Sequence, residues 1–96
     1  MSDEAYTLSL AFSARRAIVE GPPRGLPLAV ATAVTEFLTG PLLDNPHQVG
    51  EPLTRELEGY HSARRGAYRV IYRIDEAMRT VHVVRVDHRA DVYRTR

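Results

Sequence analysis

Four arginines, Arg64, Arg65, Arg69 and Arg73, fall within the stretch RRGAYRVIYRID at residues 64 to 75. A guanidinium is a planar fork of donors that suits phosphate or carboxylate, and it is seldom buried. A second set follows in RVDHRADVYR at residues 85 to 94, with His88, Arg89 and Tyr93. A histidine titrates near neutral pH, an arginine can stabilise charge developing on phosphorus, and a tyrosine can stack on a base. Each of these signals is weak by itself, and a histidine beside an arginine in a surface loop is usually an ordinary surface pair. His47, in DNPHQVG, reads as a loop residue. No metal-ligand spacing, glycine-rich phosphate loop or nucleophile elbow is present, so no metal or cofactor is expected.

The elements that must position these residues follow from periodicity. YTLSLAF, residues 6–12, alternates as a strand with Tyr6, Leu8, Leu10 and Phe12 on one side. Ser13 is placed to cap a short helix over about 14–20. GPPRG interrupts the chain. LPLAVATAVTEFLTGP then carries Val30, Ala33, Val34, Phe37 and Leu38 at helical spacing, with Pro27 in the first turn and Gly40-Pro41 at the end. That stripe reads as core. Residues 41–56 read as loop. Strands are expected over 57–64, 67–74 and 80–86, with a terminal segment at 90–94. The order β-α-α-β-β-β predicts one α+β domain over 1–96, with two N-terminal helices packed on a small antiparallel sheet.

A two-residue turn at Arg65-Gly66 would place 62 opposite 69, 60 opposite 71 and 58 opposite 73. Leu57, Gly59, His61 and Ala63 then share a core face with Tyr68, Val70, Tyr72 and Ile74, and Gly59 leaves room for the Tyr72 ring. His61 reads as a packed histidine. Glu58, Tyr60, Ser62, Arg64, Ala67, Arg69, Ile71 and Arg73 form the other face. A turn at Asp75–Met78 would add His82, Val84 and Val86 to it. From the pattern alone this face is either a solvated surface with a Glu58–Arg73 cross-strand pair or a concave anion site.

Composition narrows the class. There is no cysteine, so neither a disulfide framework nor a thiolate zinc site is available. The sequence opens on acidic residues instead of a basic signal-peptide segment, and its longest apolar run is too short to span a bilayer. A cytoplasmic protein with no membrane partner is expected. The net charge of +1 hides an asymmetry: residues 1–54 hold three arginines against six acids, and residues 55–96 hold ten against six. All 13 basic residues are arginine.

The segment NPHQVGEPLTRELEGYHSARRGAYRVIYRIDEAMRTVHVVRVDHRADVY, residues 45–93, contains an R-x-G-x-Y-R-x-x-Y-x-[IV] hairpin and a closing H-R-x-D-x-Y. With these motifs and the order of the N-terminal elements, the chain resembles the RelE branch of the RelE/ParE superfamily of bacterial toxins over nearly its whole length. The resemblance implies a toxin of a type II toxin–antitoxin system that cuts messenger RNA in the ribosomal A site. The substrate 2′-OH attacks the adjacent phosphorus and leaves a 2′,3′-cyclic phosphate. It further implies a RelB-type antitoxin and a toxin–antitoxin complex that represses its own operator DNA.

By the same resemblance, Arg69 holds the scissile phosphate, Arg89 serves the leaving group or transition state, and Tyr93 stacks on, or orients, the substrate nucleotide. In a toxin of that kind, Arg64, Arg65 and Arg73 would supply ribosomal RNA and phosphate contacts. Where the family carries two lysines, this chain has Tyr60 and Ser62, neither a good base at neutral pH. The general base then falls among His88, Glu58 and His82, with His88 preferred. Two alternatives share the fold: a ParE-like inhibitor of DNA gyrase, and a catalytically weak toxin acting as corepressor with its antitoxin.

Overall fold

The computed structural model describes residues 5–88. Alternation in TLSL forms β1 (Thr7–Leu10), with Leu8 and Leu10 packed against the core. α1 (Phe12–Val19) begins two residues earlier than expected. Ala11 takes the N-cap position with an extended backbone and no side-chain cap. Ser13 is no cap; its hydroxyl donates to the Val84 carbonyl at 3.3 Å. Phe12 therefore leaves the strand and lies 73% exposed on α1, with the Arg16 guanidinium 5.5 Å from its ring centroid.

α2 (Leu28–Thr39) buries Ala31, Val34, Phe37 and Leu38, the i, i+3, i+4 stripe of a helix with one dry side. Pro27 is its N-cap, and the helix ends at Gly40. Ala33 is exposed, and its carbonyl accepts the Tyr68 hydroxyl at 3.4 Å. The stretch read as loop contains a short helix, α3 (Pro41–Asp44), which buries Leu42, and a two-residue strand, β2 (Glu51–Pro52).

β3 (Tyr60–Arg65), β4 (Tyr68–Asp75) and β5 (Thr80–His88) complete a five-stranded sheet in the order β1-β5-β4-β3-β2. The sheet is mixed: β1 runs parallel to β5, and the other pairs are antiparallel. Ala63, Val70, Tyr72, Val81 and Val83 meet Val34, Leu38 and Leu42 in one core, all at most 1% exposed. Each fully buried apolar side chain of this size contributes about 1.5–3 kcal/mol. Among the described residues no helix is long and apolar enough to cross a membrane.

The β3–β4 turn is Gly66-Ala67, so Arg64 faces Arg69 and Tyr60 faces Arg73. Glycine takes the first loop position, at φ +54°, a region it enters without Cβ strain. The expected register is therefore off by two. A slip of two preserves faces and changes partners. Glu58 precedes β3 and makes no cross-strand pair with Arg73. His61, and not Gly59, lies across from Tyr72, with the two rings stacked at 5.4 Å.

A bulge alters β5. Ile71 pairs with Arg85 while Tyr72 pairs with Val83, leaving Val84 as the extra residue. Bulges shift alternation by one. His82, Arg85 and Asp87 thus join the arginine side, while Val86 packs against the core. Val86 had been expected on the arginine side.

Candidate anion cleft

The helix-free face of the sheet is built in transverse rows. Arg64, Arg69 and Asp87 form one row across β3, β4 and β5. Ser62, Ile71 and Arg85 form the next, extended by Glu51 of β2 opposite Ser62. Tyr60, Arg73 and His82 form a third, extended by Ser9 of β1 opposite His82.

The first two rows border a cleft of about 460 Å³, which lies between the Gln48–Glu51 segment and Ser62, Arg64, Arg65 and Arg69. Among the described residues, no acid pairs with the Arg64 or Arg69 side chain. Asp87 stands opposite Arg69 in the register, but the Arg85 Nε–H donates to its carboxylate at 2.9 Å. Both cleft arginines are exposed and keep their charge for a ligand. Like charges set opposite one another across a ladder are destabilising, so an anion between them relieves a repulsion the fold otherwise carries.

Two supports hold the lip. Arg65 turns from the cleft toward the helices. Its guanidinium donates to the Val49 carbonyl at 3.0 Å and to the Arg64 carbonyl at 2.8 Å, and it stacks on Phe37 at 4.8 Å from the ring centroid. It lines one end of the cleft with two of its five N–H donors engaged by these carbonyls. Tyr72 donates to the Pro46 carbonyl at 2.6 Å beneath the same segment, and burial pushes its hydroxyl pKa up to about 12. Gly50 passes over that hydroxyl where no side chain fits: a Cβ there would lie 2.5 Å from Tyr72 Oη and 2.8 Å from the Ser62 carbonyl oxygen.

The sequence-predicted residues divide accordingly. Arg64, Arg69 and Ser62 meet at the cleft. Tyr60 and Arg73 share the face one row further on. His82, one of the three general-base candidates, is on that face too, in the row of Arg73. His88 is paired with Tyr68, whose ring meets Phe37 of α2, so it takes the helix side of the sheet, opposite to Arg69. Glu58 lies outside the strands, after a 3-10 turn at Arg55–Leu57. Arg89 and Tyr93 lie outside the described residues. Glu51 was missed, because the segment that carries it read as loop. The signal was an acid followed directly by proline, ahead of the arginine hairpin.

Burial, and then the neighbouring His47, push the pKa of His61 down. Its Nδ1 is buried with no hydrogen-bond partner among the described residues. His47 in turn bonds Glu76, which also accepts the Tyr6 hydroxyl at 3.0 Å. These contacts tie the Pro46–Gly50 segment to the β4–β5 turn, away from the cleft mouth.

Comparison with known proteins agrees with this architecture. Residues 18–93 match the family model described as the ParE toxin of the type II toxin–antitoxin system parDE. The toxin RelG of Mycobacterium tuberculosis is 51% identical over 89 residues, covering 93% of this chain and 97% of that protein. The toxin RelE of the same organism is 42% identical over 92 residues, covering 96% and 90%. The crystal structure of the M. tuberculosis toxin–antitoxin complex RelBE2 contains a chain with a TM-score of 0.77 and 48% identity, covering 90% of this chain and all of that one.

Proposed function

The chain belongs to the RelE/ParE superfamily of type II toxin–antitoxin toxins, as a RelE-type member, and from that premise we propose that it is a ribosome-dependent mRNA endoribonuclease. The observation that carries this reading is the Arg64–Arg69 pair, facing each other without an acidic partner among the described residues at a cleft that also holds a carboxylate. In the proposed reaction the substrate 2′-oxygen bonds to the adjacent phosphorus and the bond from phosphorus to the 5′-oxygen breaks. Arg69 and Arg64 hold the non-bridging oxygens as their negative charge grows. Arg89 serves the leaving oxygen and Tyr93 stacks on the substrate base.

The proton of the 2′-OH passes to a base on the cleft side of the sheet. His88 is poorly placed for this, since its strand position turns it to the helices. Glu51 lies at the cleft with its carboxylate exposed and unpaired among the described residues. It is the base this reading selects.

The relatives are toxins, and one is known in a toxin–antitoxin complex. We extend that pairing here to a RelB-type antitoxin that silences the chain, a complex that binds its operator, and a cytoplasmic site of action where ribosomes and mRNA are found. The test is inducible expression with mapping of mRNA ends on ribosomes. The parent chain should arrest growth and produce A-site cuts. If an Arg69→Ala, Arg89→Ala double variant stays as toxic as the parent, the mechanism is wrong. The match to a ParE model keeps gyrase inhibition as a second reading. Inhibition of purified gyrase, with ribosomal mRNA intact, is the result that would favour it.

A further inference from the structure

One row beyond the cleft, three side chains able to recognise a nucleotide share one line. Tyr60 of β3 faces Arg73 of β4, and Arg73 faces His82 of β5. Arg73 is exposed, and Tyr60 and His82 are half-buried. None of the three makes a side-chain hydrogen bond or ion pair with another described residue. The expected Glu58–Arg73 pair would have made Arg73 structural; the actual register removes that partner. Arg73 is therefore a second uncompensated guanidinium on the same rigid strand as Arg69, flanked by two flat aromatic rings.

Four residues along an extended strand span about 13 Å. That exceeds the reach of one nucleotide held at Arg69, so a ligand touching both arginines is an oligonucleotide. Half-buried Ile71 lies between them on the same face, an apolar floor for a base or ribose. The chemistry of the row is that of a single-strand platform: a ring for stacking, a guanidinium for phosphate, an imidazole for either.

We propose that Tyr60, Arg73 and His82 form a second RNA subsite, which holds a flanking phosphate and its base when the scissile phosphate is at Arg69. The proposal rests on the endoribonuclease reading and names residues for positioning the substrate strand. A backbone phosphate of the substrate and one of ribosomal RNA present the same chemistry; the geometry favours the substrate, because Arg73 and Arg69 stand on the same strand and the same face of the sheet.

The experiment is single-turnover cleavage of ribosome-bound mRNA. The messages carry an uncharged methylphosphonate at one of the two phosphates on either side of the cut. Arg73→Ala should slow cleavage of ordinary message about tenfold, and its effect should vanish with one particular methylphosphonate message, on which the parent is already slow. Tyr60→Ala should slow cleavage by a similar factor, with Tyr60→Phe restoring most of it. An Arg73→Ala loss of equal size on every message assigns the contact to ribosomal RNA and overturns the proposal. So does an Arg73→Ala variant as fast as the parent. A parent chain that leaves all messages intact refutes the endoribonuclease reading, and the subsite with it. Arg73 is exposed, so its variant folds; melting curves of each variant confirm this independently.

Discussion

Arg64 and Arg69 lie directly across the β3–β4 ladder from one another, and no described acid compensates either. A fold that selected only for stability would not keep this pair, since like charges at opposed positions repel. Removing one should leave the protein as stable or slightly more so. Arg69→Ala is expected to raise stability by about 0.5 kcal/mol, or about 2–4 °C in melting temperature for a domain of this size. Its cleavage rate should fall by about 10²–10³. Inorganic phosphate should raise the melting temperature of the parent and do so much less for this variant. A melting temperature that drops sharply on substitution would mean the arginine supports the fold instead of the ligand.

The lip of the cleft depends on Gly50 for a steric reason. A methyl group there would meet Tyr72 Oη at 2.5 Å and the Ser62 carbonyl at 2.8 Å. Gly50→Ala is expected to cost about 1–3 kcal/mol, the range for overpacking a filled site, and to slow cleavage by moving Glu51. Adding Tyr72→Phe removes one of the two clashes. It also leaves the Pro46 carbonyl without its buried donor, so the double variant should recover less than half of the lost stability. Thermal melts of the single and double variants check this. Full recovery would show that the Ser62 carbonyl yields easily.

His61 should make stability depend on pH in a defined window. Its folded pKa is lowered by burial and by His47, so the folded chain binds a proton less readily than the unfolded chain. The contribution is complete above the unfolded value of about 6.5. It is lost progressively as pH falls below that value toward the folded pKa. Protonation would also charge a ring whose Nδ1 has no acceptor among the described residues. The parent should therefore melt at lower temperature at pH 5 than at pH 7.5. His61→Phe, which keeps a ring against Tyr72, should flatten that difference. Glu76 acts in a separate, more acidic window: its pKa is lowered by the His47 and Tyr6 hydrogen bonds, so its share is lost only below about 4.5. An unchanged pH profile in His61→Phe would rule out the histidine as the source.

Much of this architecture is legible in the residues, and the losses have physical causes. Period-two alternation divides β3 and β4 into an apolar and an arginine side, and a two-residue register error cannot disturb that division. Partners are another matter. Whether glycine leads or closes the hairpin loop decides if Arg73 meets Glu58 or Tyr60, and either order contains the same Arg-Gly pair. The β5 bulge falls where the alternation of VHVVRVDH changes phase, at the doubled Val83-Val84, a break that an unbroken period-two reading passes over; it sends His88 to the helix side and Asp87 to the arginine side. Short edge elements are also opaque: β2 has two residues, one of them proline, and no periodicity exists over such a length. That is why Glu51 was unseen.

Glu51 therefore provides the sharpest remaining test, because its two possible roles predict opposite signs. A carboxylate beside a phosphate site that takes no part in proton transfer only repels the substrate. Neutralising it would then tighten binding and leave cleavage equal or faster. A carboxylate that accepts the 2′-OH proton contributes about 10²–10⁴ to the rate, and neutralising it removes that factor. Glu51→Gln keeps the shape, and the residue is exposed and without an ion-pair partner among the described residues, so the fold should be unaffected. We expect single-turnover cleavage on ribosomes to slow at least a hundredfold in Glu51→Gln, with Glu51→Asp intermediate. His88→Gln should stay within about threefold of the parent, since its side chain lies across the sheet from Arg69. If the two results are reversed, with His88→Gln inactive and Glu51→Gln active, the end of β5 must turn toward the cleft when RNA binds, and the base assignment moves to His88.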